Sequence, residues 1–298
     1  MFFKCLNKDS LYIGAPAKVN LFLEILNRRE DGYHNIYSLF QAVSLFDRLK
    51  FTRTDNPDIT LSIENNPELP GNENNLVVKA CNLIKKEYGI DNGLEIHLQK
   101  NIPTGAGLGG GSSDAAAAIF ACNYLFELNL NYPEMAQLGF KLGSDVPFFF
   151  SKGQALITGR GENIEEVTLP TDYWLVLITP NLTISTAESY GALKIGLTKP
   201  QLPFKLSCYE TVEEFVEYLK LSSNNFEEAH LLSYPVLGKI KEELLKSKAL
   251  LVRMSGSGST MFGIYREAAE WINNKFTDQG DWQINIVRPI TLPLIKTN

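Results

Sequence analysis

The stretch Pro103 to Ala118, PTGAGLGGGSSDAAAA, places five glycines within nine residues directly against a run of alanines. Glycine is the residue costliest to order and alanine the best helix former. A chain sets them side by side where a loop of unusual backbone shape must end in a helix. This junction lies between LEIHLQK, whose apolar residues alternate as in a strand, and a segment that reads as helix from Ser112 to about Leu128.

Four readings compete for the loop. A flexible connector does not need Ser112, Ser113 and Asp114 at a helix start, where they read as N-capping oxygens and a charge suited to the helix dipole. A dinucleotide fingerprint is formally satisfied by Gly105, Gly107 and Gly110, but Ile102-Pro103-Thr104 separates the strand from the first glycine. A Walker A loop lacks its Gly-Lys-Ser/Thr. The remaining reading is a phosphate cradle: converging loop amides, the free amides of the helix start, and no Cβ between them and an anion.

The chain has 298 residues and a net charge of -6. That charge argues against a general nucleic-acid binder, which usually carries a basic face, but leaves room for an anion held by backbone amides. Cys5, Cys81, Cys122 and Cys208 are scattered, as are the histidines. This spacing predicts reduced thiols and no zinc site. His97 falls on the polar face of its strand. No apolar run is long enough to span a membrane, and MFFKCLNKDS reads as neither signal nor transit peptide, so the expectation is a cytoplasmic protein.

In AKVNLFLEIL, Ala17, Val19, Leu21, Leu23 and Ile25 alternate with Lys18, Asn20 and Phe22, which predicts two faces of one strand. Asp31-Gly32 marks a turn. NLVVKACNLIKKEYG reads as a helix capped by Asn74 or Asn75 and stopped by Gly89, and YPEMAQLGFKLG as a second, from Pro133 to Gly143. GQALITGRGE reads as strand and turn. The texture then resets, and YWLVLITP reads as a buried strand. Helices are predicted around 211–221, 234–247 and in REAAEWINNKF, and strands at ALLVRM, TMFGIY and WQINIV. The fold class is α+β. The expected domains are 1–165 and 166–298, with the boundary between Glu162 and Asp172 and the site in the cleft between them.

PTGAGLGGGSSDAA closely resembles the phosphate loop of the GHMP kinases, small-molecule kinases named for galactose, homoserine, mevalonate and phosphomevalonate. APAKVNLFLEILNRREDGYH, GSDVPFF and MSGSGST extend the resemblance from about Ala15 to Thr260. The DGYH block, which other GHMP kinases lack, resembles that of one branch of the family, and the resemblance implies a substrate carrying a cytidine diphosphate.

The resemblance implies ATP as co-substrate, with its γ-phosphoryl transferred to a tertiary hydroxyl. ATP would be wrapped by Pro103, Thr104, Gly105, Ala106, Gly107, Leu108, Gly109, Gly110, Gly111, Ser112 and Ser113. Mg²⁺ would bridge the phosphates, with Ser112 or Ser113 as its protein ligand. Asp145 matches the general base and Lys18 the catalytic lysine. Asn20 would hold substrate near the reacting hydroxyl. Tyr33, His34 and Tyr190 would form the cytosine site, with the aromatics sandwiching the base. Gly256, Ser257 and Gly258 would close the site from the second domain.

Four of these have a plainer reading: Asp145 as a turn aspartate, Lys18 as a solvent-facing lysine, Tyr190 as a core tyrosine and MSGSGST as a hairpin loop. Two rival functions stand beside the kinase: another member of the family or a related decarboxylase acting on mevalonate compounds, and a metabolite sensor on a dead kinase scaffold. Retention of both Lys18 and Asp145 argues against the sensor. Adenine contacts carry no motif, NENNLVVKA being the candidate segment, and 199–231 carries none either. The expected assembly is a monomer or weak homodimer.

Overall fold

The structure is a computed structural model that describes residues 2–193, 209, 211–267 and 281–293. Cys208 and most of the REAAEWINNKF segment lie outside them.

The first half is built on a mixed sheet. Strands β1 (Phe2–Asn7), β2 (Ser10–Arg28), β3 (His34–Thr54), β4 (Ile59–Glu64) and β5 (Gly93–Gln99) run in the order β1-β2-β3-β5-β4. β3 is long enough to change partners. Its residues 48–54 pair with β5, and its residues 36–41 pair with β6 (Gln154–Gly159), which pairs in turn with β7 (Asn163–Glu166). Only β4 and β5 are parallel.

Helices α1 (Leu76–Tyr88), α2 (Gly110–Leu125) and α3 (Tyr132–Phe140) and the 3₁₀ turn Val146–Phe150 cover this sheet. α1 is held at one end by the Asn75 side chain, which accepts from the Val77 amide, and at the other by Gly89 in the left-handed region. α3 begins at an Asn131–Glu134 capping box and ends at Phe140, slightly short of the predicted Gly143. Ala115 to Ala118 are all fully buried. An alanine run suits a helix enclosed on every side, because small side chains let the sheet, α1 and the 3₁₀ turn approach it closely.

The second half carries an antiparallel sheet, β11-β8-β10-β9, from β8 (Trp174–Pro180), β9 (Leu251–Met254), β10 (Met261–Tyr265) and β11 (Trp282–Val287). The described helices are α4 (Thr186–Ala192), α5 (Val212–Lys220), α6 (Asn225–Ser233) and α7 (Pro235–Lys246). α6 and strands β3 and β4 were not read from the sequence.

β2 departs most from its pattern, for two reasons. Residues 15–25 are all buried, not alternately so, because both faces of the stretch are covered: Ala17 and Val19 pack against the second half of the chain, while Lys18 lies against the glycine loop and the Phe40 ring. The Leu23 amide donates to Ser223 O and the buried Arg253 guanidinium to Leu21 O. A β-bulge also flips the phase: Asn20 pairs with Phe40 and Phe22 with Leu39, leaving Leu21 as the extra residue. Phe22 therefore joins Ala17 and Val19 in a core with Leu175, Phe215 and Phe262, while Leu23 shares a cleft wall with Lys18 and Asn20. This corrects the expected grouping of Leu23 with Ala17 and of Phe22 with Lys18.

Candidate active site

A cleft of about 590 Å³ opens between the two sheets. Its lining includes Lys18, Asn20, every residue from Pro103 to Ser112, Asp145, Tyr190, Gly256 and Ser257. Residues distant in sequence converge because β2, the glycine loop and the β9–β10 hairpin meet there.

The glycine loop docks on both halves. Gly107 O accepts from Ser255 Oγ at 2.9 Å and from Lys18 Nζ at 3.2 Å. Leu108 O accepts from the Lys18 amide and Ala106 O from the Thr260 amide. MSGSGST is thus a hairpin loop that also clamps the glycine loop. Ser255, unmarked in the sequence reading, supplies the clamp, and its hydroxyl also accepts from the Asn20 amide. Gly256 and Ser257 face the cleft, whereas Gly258 packs towards Met254 and Ile184.

Packing accounts for much of the glycine. A Cβ on Gly107, at φ +76°, would lie 2.1 Å from Ser255 O; one on Gly109 would lie 3.0 Å from the Lys18 stem. One on Gly110 would lie 2.9 Å from Lys100 Nζ. Only Leu76 Cδ1, at 3.5 Å, would meet a Cβ on Gly111, so its side-chain space is left to the cleft. Anion approach alone therefore does not explain the loop.

α2 starts at Gly110, two residues before the predicted start, with Gly109 at its cap and no side-chain capping bond. Ser112, Ser113 and Asp114 lie inside the first turns rather than capping it. Ser112 faces the cleft. Ser113 is fully buried, its hydroxyl has no hydrogen-bond partner, and it does not line the cleft.

Asp114 instead joins a buried cluster. Lys100 Nζ bonds Asp47 Oδ2 and, at 3.0 Å, Asp114 Oδ2; Asp47 Oδ1 accepts from the Asn101 and Ile102 amides at 2.6 and 2.8 Å. The cluster ties the entry of the glycine loop to the start of α2. Burial pushes the Asp114 carboxyl up to about 7, against the pull of Lys100. The sequence signal was present: Lys100 extends the inward phase Leu94, Ile96, Leu98, where a lysine needs buried carboxylates. Replacing Lys100 by methionine strands two carboxylates in the interior. The expected cost is about 3–5 kcal/mol, measured by urea unfolding; an unchanged midpoint would mean that the cluster contributes nothing to stability.

At the centre, Lys18 Nζ lies 2.6 Å from Asn20 Oδ1 and 3.3 Å from Asp145 Oδ2. Lys18 is nearly buried, with its ammonium 4.6 Å from the centre of the Phe40 ring, whereas the Asp145 side chain is 32% exposed. Asn20 Nδ2 donates to Ser38 Oγ, which donates to Phe22 O, so the amide orientation is set through two further groups. Asp145 sits at the start of the 3₁₀ turn, its side chain free of any capping bond. A carboxylate and an ammonium held this way can take a proton from a hydroxyl and offset charge beside it.

Of the aromatic residues expected at the cytosine site, Tyr190 lines the cleft, whereas Tyr33 and His34 are not part of its lining. His34 and Tyr190 stack directly on each other, with centroids 4.9 Å apart and planes at 16°. A base between them needs about twice that separation, so a sandwich requires Tyr190 to move. Burial, and then the Arg28 charge, lower the His34 pKa and so favour the neutral ring. Its buried Nε2 has no hydrogen-bond partner. Burial, and then the Asp145 charge, push the Tyr190 hydroxyl up to about 12. Tyr33 is 57% exposed and lies under the Arg160 guanidinium.

Leu69, Pro70, Asn74, Asn75 and Leu76 form the wall near the glycine loop, so part of the NENNLVVKA segment reaches the cleft. Among the described residues no group of three or more His, Cys, Asp or Glu side chains could hold a metal by itself, and no helix is long and apolar enough to cross a membrane. The oxygen donors on the cleft wall near the start of α2 and the catalytic pair include the Ser112 hydroxyl and the Asp145 carboxylate. That set fits Mg²⁺ carried largely by phosphate and water oxygens rather than a protein cage.

Residues 75–153 match the family model for the GHMP kinases N terminal domain, and 205–281 that for the GHMP kinases C terminal. A 4-diphosphocytidyl-2-C-methyl-D-erythritol kinase from Syntrophotalea carbinolica is 38% identical over 279 residues, covering 93% of this chain and 98% of the relative. The crystal structure of a 4-(cytidine 5'-diphospho)-2C-methyl-D-erythritol kinase superposes with a TM-score of 0.75 at 31% identity, over 93% of this chain and 99% of that one. A homoserine kinase from Cytophaga hutchinsonii, at 18% identity and a TM-score of 0.71 over 99% and 98% of the two chains, shares the fold. Matched in sequence in both halves and in shape along nearly its whole length, the chain belongs to the GHMP kinases and, within them, to the 4-diphosphocytidyl-2-C-methyl-D-erythritol kinases.

Proposed function

We infer that the chain transfers the γ-phosphoryl of ATP to the 2-hydroxyl of 4-diphosphocytidyl-2-C-methyl-D-erythritol, in the non-mevalonate route to isoprenoid precursors. The observation that carries the chemistry is the Lys18–Asp145 pair, 3.3 Å apart at the end of a glycine loop whose helix start offers free amides. Phosphoryl transfer proceeds through a loose transition state, so positioning and charge stabilisation dominate.

In this reading the loop amides and the start of α2 hold the ATP phosphates, with adenine towards the Leu69–Leu76 wall. Lys18 orients the acceptor hydroxyl and offsets charge on the transferring group. Asp145 accepts the hydroxyl proton as the new P–O bond forms and ADP departs. Asn20 orients Lys18 and the acceptor. Mg²⁺, bound through phosphates with the Ser112 hydroxyl in reach, would supply charge neutralisation; Ser113, turned into the core, does not fit that role. Residues 1–165 act as the ATP-binding domain and 166–298 close the substrate side, in a cytoplasmic enzyme.

Tyr33, His34 and Tyr190 form the cytosine site once Tyr190 swings off His34. The freed His34 Nε2 then has a base edge to meet. Tyr33→Ala is expected to raise KM for the cytidylated substrate about 10- to 100-fold, the worth of one base stack, while melting stays unchanged because Tyr33 is exposed.

The direct test is ADP release from Mg-ATP with the cytidylated substrate beside mevalonate and homoserine. Turnover on the first alone is the expected result. Turnover on mevalonate would overturn the substrate, and ATP binding without turnover on any would favour a sensor.

A further inference from the structure

The turn between β6 and β7 reads Gly159-Arg160-Gly161, and neither the phosphate loop nor the catalytic pair accounts for it. Both glycines have positive φ, at +70° and +122°. A Cβ on Gly161 would lie 2.9 Å from Ser144 Cβ, so the turn packs against the loop that carries Asp145. The backbone thereby fixes where Arg160 stands.

The Arg160 side chain reaches the cleft wall beside Gly143, Ser144, Asp145 and Tyr190. Its guanidinium carbon lies 4.6 Å from the Tyr33 ring centre and 4.9 Å from that of Phe140. The cation thus lies over two aromatic rings, each within cation–π distance. Among the described residues no hydrogen bond or ion pair engages its N–H edges. The nearby carboxylates take their hydrogen bonds elsewhere: Asp31, although it feels the Arg160 charge, accepts from Arg29 Nε at 3.1 Å and the Tyr33 amide, and Glu162 accepts from the Arg160 backbone amide and Arg29. An arginine held over two aromatic rings with open donors, in the wall of a cleft, can grip a planar or tetrahedral oxyanion in bidentate fashion.

We propose that Arg160 binds the diphosphate of the cytidylated substrate, linking the base stacked near Tyr33 to the reacting hydroxyl near Asp145. This rests on the cytidylyl reading above. Its position beside Tyr33, in the cleft wall and off the glycine loop, favours the substrate diphosphate over the ATP phosphates. Arg160 is a specificity-determining residue in this scheme: it makes the protein prefer a nucleoside diphosphate to a monophosphate or a nucleoside.

The test is equilibrium binding of CDP, CMP and cytidine to the full-length protein without ATP, together with steady-state kinetics, for the wild type, R160M and R160K. The wild type is expected to prefer CDP over cytidine by about 10-fold or more, as a charge-assisted pair allows. R160M should lose most of that preference while binding cytidine like the wild type, and R160K should retain part of it. In turnover, R160M should raise KM for the cytidylated substrate about 10-fold, leaving KM for ATP unchanged and kcat within about twofold. Unchanged discrimination in R160M overturns the proposal. So does a fall in kcat at constant KM, which would place Arg160 on the transferring phosphoryl, or a rise in KM for ATP, which would place it on the ATP phosphates. Failure of the wild type to bind any cytidine ligand would overturn the cytidylyl reading itself, a result separable from the other three.

Discussion

Asp145→Asn is expected to fold, bind ATP and lose about 10²–10⁴-fold in kcat, the range for a positioned proton acceptor. The substitution is nearly isosteric and the side chain is one-third exposed, so the fold has little reason to change. Lys18 loses its carboxylate partner but keeps Asn20 Oδ1 at 2.6 Å and Gly107 O at 3.2 Å, which hold its ammonium in place. The loss therefore reports on the carboxylate itself and not on a displaced lysine. ADP release at saturating substrate measures it, with nucleotide binding and thermal melting as controls. Turnover near wild type would remove Asp145 from the base role and would mean that the hydroxyl proton leaves late enough for water to take it.

Gly107→Ala is the second large effect. Alanine disfavours the required φ of +76°, and its Cβ would sit 2.1 Å from Ser255 O, a backbone atom that cannot rotate away. The two loops must part, breaking the Ser255–Gly107 bond and releasing one contact of Lys18. We expect a stability loss of about 1–3 kcal/mol and a fall in turnover of about 10²-fold or more, because an ångström of misplacement at the phosphates is costly. Gly111→Ala is the informative comparison. Its Cβ meets no backbone and needs no unusual φ, so urea unfolding should show no destabilisation. Any turnover lost by that stable variant measures how closely phosphate approaches the helix start. Equal stability losses for the two variants would mean that the loop's contact with Ser255 is not what makes glycine necessary at 107.

Much of the fold follows from local signals that need no partner. Gly89 stops α1 because the left-handed region is open to it, and Asn131 with Glu134 starts α3 by a reciprocal bond inside four residues. The buried strand β8 was legible as a continuous apolar run, since a strand covered on both faces has no polar phase. The start of α2 was misplaced because serines resemble caps, and nothing local distinguishes a capping serine from one inside the first turn. α6 has no strong apolar stripe, so its nine residues carried little periodicity to read. The phase flip in β2 was illegible for a different reason: a bulge is a property of the pair, set by how β3 lies against it.

The sequence by itself determined that a glycine loop ends in an alanine helix, that the chain is α+β, and, through motifs in order, which residue types come together in the cleft. These depend on backbone preference and on side-chain chemistry over short spans. Only the tertiary structure decided that Ser255 rather than its neighbouring glycines grips the loop, and that Lys100 sits between Asp47 and Asp114 beneath it. It alone decided that Ser113 turns inward, that His34 and Tyr190 touch, and that Arg160 stands with open donors beside Tyr33. Each of these turns on distances of a few ångströms between segments tens to hundreds of residues apart. Packing sets such distances, and no local pattern encodes them.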